Sequence, residues 1–372
     1  MDSSQNTVHI KISGLCPNMI LAKDAVTKNG TVILTKNTRL DNVSYKKLEK
    51  NSDIHFVEIW EYSIDKRNKP FVTEGKKKEI PKGKENDNPV LDNPEFKRFQ
   101  ETYEKKIDEL KGCIDALKNG GNTNQDELFG IVDSIITTAN CSSDLIQYVN
   151  YINKMDDDTY AHSINVAVLS HICASWMKLD NDEIEKAAIA GLLHDIGKTA
   201  IDLPEKEIAK ESFLVGEKLF KFKKHPEMGY EILLYQNLDD DIKQAVLTHH
   251  ERIDGSGYPK GLKGNDLNMI SKIVAVCNEY DNLIYLKKRC PFDIINEFDH
   301  MFLGLLDTKV LLQFTKNIAY TYISSYVQLS NKKTAQVVFI NPNFPTLPIV
   351  STLDGTLIDL SYSKELKIIN MA

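Results

Sequence analysis

Nine histidines occur in the chain, and five of them, His162, His194, His225, His249 and His250, sit among acidic residues or glycines. The densest stretch, from His249 to Pro259, reads HHERIDGSGYP. Adjacent residues on a helix point about 100° apart. One packing surface therefore does not use both imidazoles, whereas a metal cluster approached from two sides does. Asp158 and His162 are four positions apart, which puts them on one helical face. His194 and Asp195 precede Gly197, with Lys198 projecting just beyond the expected helix end. A buried ion pair accounts for any one of these histidines taken alone. The same residue types recurring on four segments point instead to a shared centre. Imidazoles around a common carboxylate suit Mn, Fe, Zn or similar divalent ions, and two such ions a few ångströms apart suit phosphodiester hydrolysis.

The elements that must position these groups are mainly helical. From Pro94 to about residue 327 the apolar spacing follows the helical period. FKRFQETYEKKIDELKGCIDALKNGG closes on two glycines, as helices often do. DDDTYAHSINVAVLSHICASWMKL opens on acidic residues, where the helix dipole favours them. DEIEKAAIAGLLHDIGK runs helically into Gly197, and MISKIVAVCNEYDNLIYLKK carries another apolar stripe. Residues 1–75 read as a small α/β module, with Asn29-Gly30 as a hairpin turn, a short helix in NVSYKKLEK and a strand in HFVEIWEY. Residues 76–93 lie in a polar, breaker-rich run and form a linker. Residues 328–372 switch to period two, with strand candidates AQVVFI, LPIVSTL, TLIDL and LKII and a hairpin turn at Asp354-Gly355. The expected fold is mainly α: an all-α helical domain over 94–327, flanked by the small N-terminal α/β module and a short C-terminal β extension.

The totals narrow the class. With 372 residues the chain has room for two or three domains. A net charge of −7 argues against a DNA or RNA binder driven by phosphate neutralisation. Six cysteines lie far apart with no CxxC pair, so reduced thiols in a cytoplasmic protein are expected. The N-terminus lacks the regions of a signal peptide, and no apolar run approaches the roughly 20 residues that cross a bilayer.

DDDTYAHS, LLHDIGK, HPEMGYEIL, HHERIDGSGYPKGL and IVAVCNEYD occur in that order. Together they resemble the HD-GYP branch of the HD superfamily of metal-dependent phosphohydrolases, over residues 140 to 325. The resemblance implies an all-α fold and hydrolysis of cyclic di-GMP to pGpG and often to GMP, with two or three divalent ions such as Fe or Mn as cofactors. His194 and Asp195 match the pair that names the superfamily, with Asp195 bridging two metals. His162, His225, His249 and His250 match the other metal histidines. Asp158 matches the acidic position one turn before the first histidine. Lys198 matches the lysine that contacts the scissile phosphate, and Arg252, Gly257, Tyr258 and Pro259 match the segment beside the ligand pocket.

Two departures from the family pattern stand out, one at a single position and one across a run. Asn278 stands where an aspartate usually ends the ligand set, and an amide oxygen coordinates without bringing charge. In NLIYLKKRC, Ile284 replaces a threonine and Lys287 the first arginine of a substrate-binding run, so the bidentate fork is lost while the charge remains. These departures keep a second reading open, a degenerate member that binds the dinucleotide or a partner protein and hydrolyses little. An HD hydrolase of another nucleotide is disfavoured by HHERIDGSGYP. The N-terminal module is left to sense a ligand, form a homodimer, engage a protein partner or only support the helical domain.

Overall fold

The computed structural model describes residues 7–12, 15, 19–40, 42–51, 53–60, 94–139, 142–152, 159–208, 213–287, 290–363 and 365–371. The chain divides into two compact units, one combining Met1–Asp87 with Tyr322–Ala372 and the other spanning Asn88–Thr321.

In the first unit, β1 (Thr7–Lys11) pairs antiparallel with the later strand of the module, Phe56–Trp60, from Thr7↔Trp60 to Lys11↔Phe56. Between them lie β2 (Ala25–Val26), β3 (Val32–Leu34) and α1 (Asn42–Glu49), so Phe56–Trp60 is β4. The β2–β3 hairpin turns where the Asn-Gly pair predicts, with Gly30 at φ 79°. The linker expected at 76–93 lies outside the described residues.

The second unit is helical. It comprises α2 (Pro94–Lys118), α3 (Gln125–Ile136), α4 (Ser142–Ile152), α5 (Thr159–Trp176), α6 (Asn181–Leu193), α7 (Glu205–Ile208), α8 (Gly216–Phe222), α9 (His225–Leu233), α10 (Asp240–Thr248), α11 (Met269–Lys287), α12 (Pro291–Phe302) and α13 (Thr308–Tyr320). Its centre is α5, buried on nearly every side from Ala161 to Ala174, which is why that segment shows little amphipathic contrast. A capping box starts α6: Asp180 accepts the Glu183 amide at 2.9 Å and Glu183 accepts that of Asp180 at 3.3 Å. At its other end the helix stops at Leu193, and a short 3-10 turn covers Ile196–Ala200. No described helix is long and apolar enough to cross a membrane.

The remaining chain forms a five-stranded antiparallel sheet in the order β8-β7-β6-β5-β9, from β5 (Tyr326–Leu329), β6 (Thr334–Asn341), β7 (Phe344–Thr352), β8 (Leu357–Asp359) and β9 (Ile368–Met371). All four strands expected from period-two spacing are present, and Gly355 turns between β7 and β8 at φ 84°. β5 is the addition. Helical spacing extends on paper to residue 327, but α13 ends at Tyr320, and β5 is held by a hairpin to β6 and by long-range pairing to β9. Four residues are too few to display alternation on their own.

Candidate metal centre

Five segments of the helical unit deliver the site. Asp195 lies at its middle, buried to 4 % exposure in the turn that follows α6. Around it stand His194 Nε2 at 3.2 Å, His225 Nε2 at 3.3 Å, His162 Nε2 at 3.7 Å and His249 Nε2 at 3.9 Å. His250 completes a group with Asp195, His225 and His249, while His162, His194 and Asp195 form a second. Asp195 belongs to both.

The tautomers are set by backbone. His194 Nδ1 donates to Gly191 O at 2.8 Å, His225 Nδ1 to Phe222 O at 2.9 Å and His249 Nδ1 to Val246 O at 2.8 Å. A carbonyl only accepts, so each Nδ1 carries the proton and each Nε2 presents its lone pair to the centre. In the neutral rings, Nε2 of His225 and Nε2 of His249 then face each other lone pair to lone pair at 3.2 Å. Nε2 of His194 and of His250 are buried with no hydrogen-bond partner among the described residues. Buried acceptors turned on one another are costly unless something positive lies between them. The donor set, imidazole nitrogens with a shared carboxylate, fits divalent transition ions.

Charge follows the same geometry. Burial, and then the neighbouring imidazoles, push His249 and His250 well below the ordinary histidine range. Burial would raise Asp195, but His194 and Lys198 beside it outweigh that and hold its carboxyl well below the usual carboxylate range. Lys198 Nζ lies 2.8 Å from Asp195 Oδ2 and 5.2 Å from the Phe222 ring centroid. For His162, burial opposes the charged form, yet the hydrogen bond and charge of Asp281 raise its pKa.

Asp281 was not legible as a site residue. Its Oδ2 sits 2.7 Å from His162 Nδ1, so it fixes that ring with Nε2 towards the centre, the arrangement by which carboxylates orient metal-binding histidines. Asn278, one turn earlier on α11 and 2 % exposed, places Oδ1 3.0 Å from His162 Nε2. The available signal was spacing: three positions separate Asn278 and Asp281 on one apolar helix.

Glu251 is the second residue that sequence reasoning passed over. It is 1 % exposed, and its carboxylate accepts the amides of Lys260 at 2.7 Å, Gly261 at 3.1 Å and Leu262 at 3.0 Å. One buried charge thereby gathers the turn after Tyr258-Pro259. Gly257 packs so tightly that a Cβ would come within 2.4 Å of Arg252 N and Glu251 Cα, so no larger residue fits. Tyr258 stacks on His250 with centroids 4.6 Å apart at 18°, which brings the turn onto the cluster. Gly197 plays the matching part below, where a Cβ would lie 1.9 Å from His225 O.

The structure thus brings together His162, His194, Asp195, Lys198, His225, His249, His250 and Asn278, with Tyr258, between Gly257 and Pro259, stacked alongside. Arg252 instead pairs with Glu279 and lies 5.9 Å above the Phe302 ring. Asp158 lies outside the described residues, as does the side chain of Lys287 at the end of α11.

A helical unit closing around a buried histidine–aspartate cluster able to hold metal is the arrangement of the metal-dependent HD domains. Residues 144–293 match the HD domain family model. The chain is 30% identical over 208 residues to the cyclic di-GMP phosphodiesterase PdeB of Borreliella burgdorferi, covering 53% of each chain. It is 30% identical over 192 residues to the cyclic di-GMP phosphodiesterase PA4108 of Pseudomonas aeruginosa, covering 50% of this chain and 46% of that one. It is also 31% identical over 158 residues to 3'3'-cGAMP-specific phosphodiesterase 2 of Vibrio cholerae, covering 42% and 30%. The chain spans about half the length of the first two of these relatives.

Proposed function

We propose that the helical unit is a metal-dependent phosphodiesterase that hydrolyses cyclic di-GMP to pGpG. The observation that carries this reading is the convergence of lone-pair-bearing imidazole nitrogens on Asp195, with Lys198 at the edge of the cluster. Asp195, His225, His249 and His250 would hold one ion; His162, His194, Asp195 and the Asn278 oxygen would hold a second. The shared Asp195 supports a count of two, with Fe or Mn suited to the donors, and Asp158 is the group that would extend it to three. When bound, such ions lower the pKa of water and draw charge from phosphoryl oxygens.

The chain's own groups do the rest. Lys198 supplies a fixed positive charge beside the cluster, where charge grows on the phosphate during displacement. Asp281 holds His162 in its working tautomer, and Glu251 keeps the turn bearing Tyr258 in place over His250. The similarity to named cyclic di-GMP phosphodiesterases supports this substrate class.

The test is to load the purified protein with Mn or Fe, incubate it with cyclic di-GMP and separate the products, beside Asp195→Ala. Wild type should yield pGpG, and the variant should lose bound metal and hydrolysis together. Unchanged metal content in the variant would place the cluster elsewhere. Asn278 favours a second reading, a receptor with a weakened centre, and binding of cyclic di-GMP by the loaded protein without pGpG would select it.

A further inference from the structure

A cavity of about 290 Å³ opens beside Asp195 and Lys198 and runs to α2, which supplies Ile114, Asp115 and Lys118 to its wall. That volume sits at the small end of ligand pockets, enough for one nucleoside half of a cyclic dinucleotide. Ile114, Ile201 and Leu203 give it apolar surface, and Tyr160 gives an aromatic one. The polar groups of α2 are gathered at the rim: Asp115 and Lys118 are exposed, and neither side chain forms an ion pair among the described residues. They are three positions apart on one helix, so their side chains are neighbours. α2 itself is anchored, because the Tyr103 hydroxyl lies 2.7 Å from Asn165 Oδ1 and 3.0 Å from Ala161 O of α5. It also precedes the segment that matches the HD domain, which begins at residue 144.

We infer that this cavity is a guanine-reading subsite, with Asp115 and Lys118 of α2 as its specificity-determining residues. The inference rests on the site taking a cyclic dinucleotide. With one phosphate at Lys198, the attached nucleoside extends along the cavity towards α2. A guanine edge offers N1–H and N2–H as donors beside the O6 acceptor. A carboxylate takes the two donors and an ammonium meets O6. Adenine reverses the pattern, setting its N1 lone pair against the carboxylate and its amino group against the lysine. Rejection then comes from unpaired and repelling groups as much as from lost bonds. Because only one half enters, a hybrid with one guanine and one adenine is accepted, and one with two adenines is refused.

The experiment compares metal-loaded wild type, Asp115→Ala and Lys118→Ala on cyclic di-GMP, 3',3'-cGAMP and cyclic di-AMP. Both kcat/KM and calorimetric affinity are measured for each. Exposed positions on a long helix make both variants safe to fold. Wild type should prefer the two guanine-containing ligands to cyclic di-AMP by roughly 10-fold or more. Asp115→Ala should lose about 10–100-fold on those two while cyclic di-AMP stays level or improves. Equal loss on all three ligands, or unchanged selectivity in both variants, would overturn the subsite while leaving the hydrolysis reading intact. If wild type binds with this selectivity, loses it in Asp115→Ala and yet makes no pGpG, the subsite stands and the hydrolysis reading fails.

Discussion

Replacing Glu251 by glutamine removes a buried charge that holds three backbone amides without altering the side chain's shape. The carboxylate accepts from Lys260, Gly261 and Leu262 at 2.7, 3.1 and 3.0 Å. Hydrogen bonds to a charged acceptor contribute roughly 1.5–3 kcal/mol each. Glutamine keeps one oxygen, but its amide group points N–H at N–H wherever the second oxygen accepted. The expected loss is therefore about 2–4 kcal/mol, one charged bond outright and the others weakened. For a unit of this size, each kcal/mol moves Tm by roughly 2–4 °C, so calorimetry of the metal-free protein should show a drop of about 5–15 °C. Hydrogen exchange localises it: the amides of residues 260–262 should lose protection before those of α5. A Glu251→Gln protein with wild-type Tm and protected amides at 260–262 would refute the claim that this carboxylate organises the turn.

Lys198→Ala should keep metal content at the wild-type level while turnover of cyclic di-GMP falls about 100-fold or more; loss of metal would show that the lysine supports the cluster instead. Asn278→Asp adds a charged oxygen 3.0 Å from His162 Nε2 and should tighten metal binding about 10–100-fold, read by metal titration; weaker binding than wild type would exclude Asn278 as a ligand. Stability of the metal-free protein should fall as pH drops below 6.5. His249 and His250 have folded pKa values well below their unfolded ones, so in this window the unfolded chain takes up protons that the folded one refuses. His162, shifted upward, has the opposite sign and offsets a small part of this loss as the unfolded chain finishes taking up its proton. From pH 6.5 to 5.5 the two lowered histidines cost about 1 kcal/mol each, roughly 2 kcal/mol together. Denaturant melts at the two pH values measure it, and equal stability at both would contradict the buried neutral state.

Local chemistry made most of the helices and the hairpin turns legible. The glycines after Lys118, the Asn29-Gly30 and Asp354-Gly355 pairs and the apolar stripe of α11 each act within a few residues. The histidine set was legible for a related reason, since repeated imidazoles beside acids and glycines have few other uses. Asp281 and Glu251 were not, because a carboxylate in a helix or loop looks the same whether solvated or buried. β5 was missed because its four residues are too few to display alternation and directly follow a helical stretch, while one of its two partners, β9, lies much further along the chain.

By itself the sequence determined which residue types are available for metal and phosphate, and that helices would carry them. Only the tertiary structure decided that His162, His194, His225, His249 and His250 share one carboxylate, that Asp281 holds the His162 ring against that cluster, and that α2 borders the cavity leading from Lys198. The reason is physical: periodicity fixes the face a side chain occupies on its own helix, whereas what that face meets depends on packing between segments as far apart as Asp115 and Lys198, and no local preference encodes it.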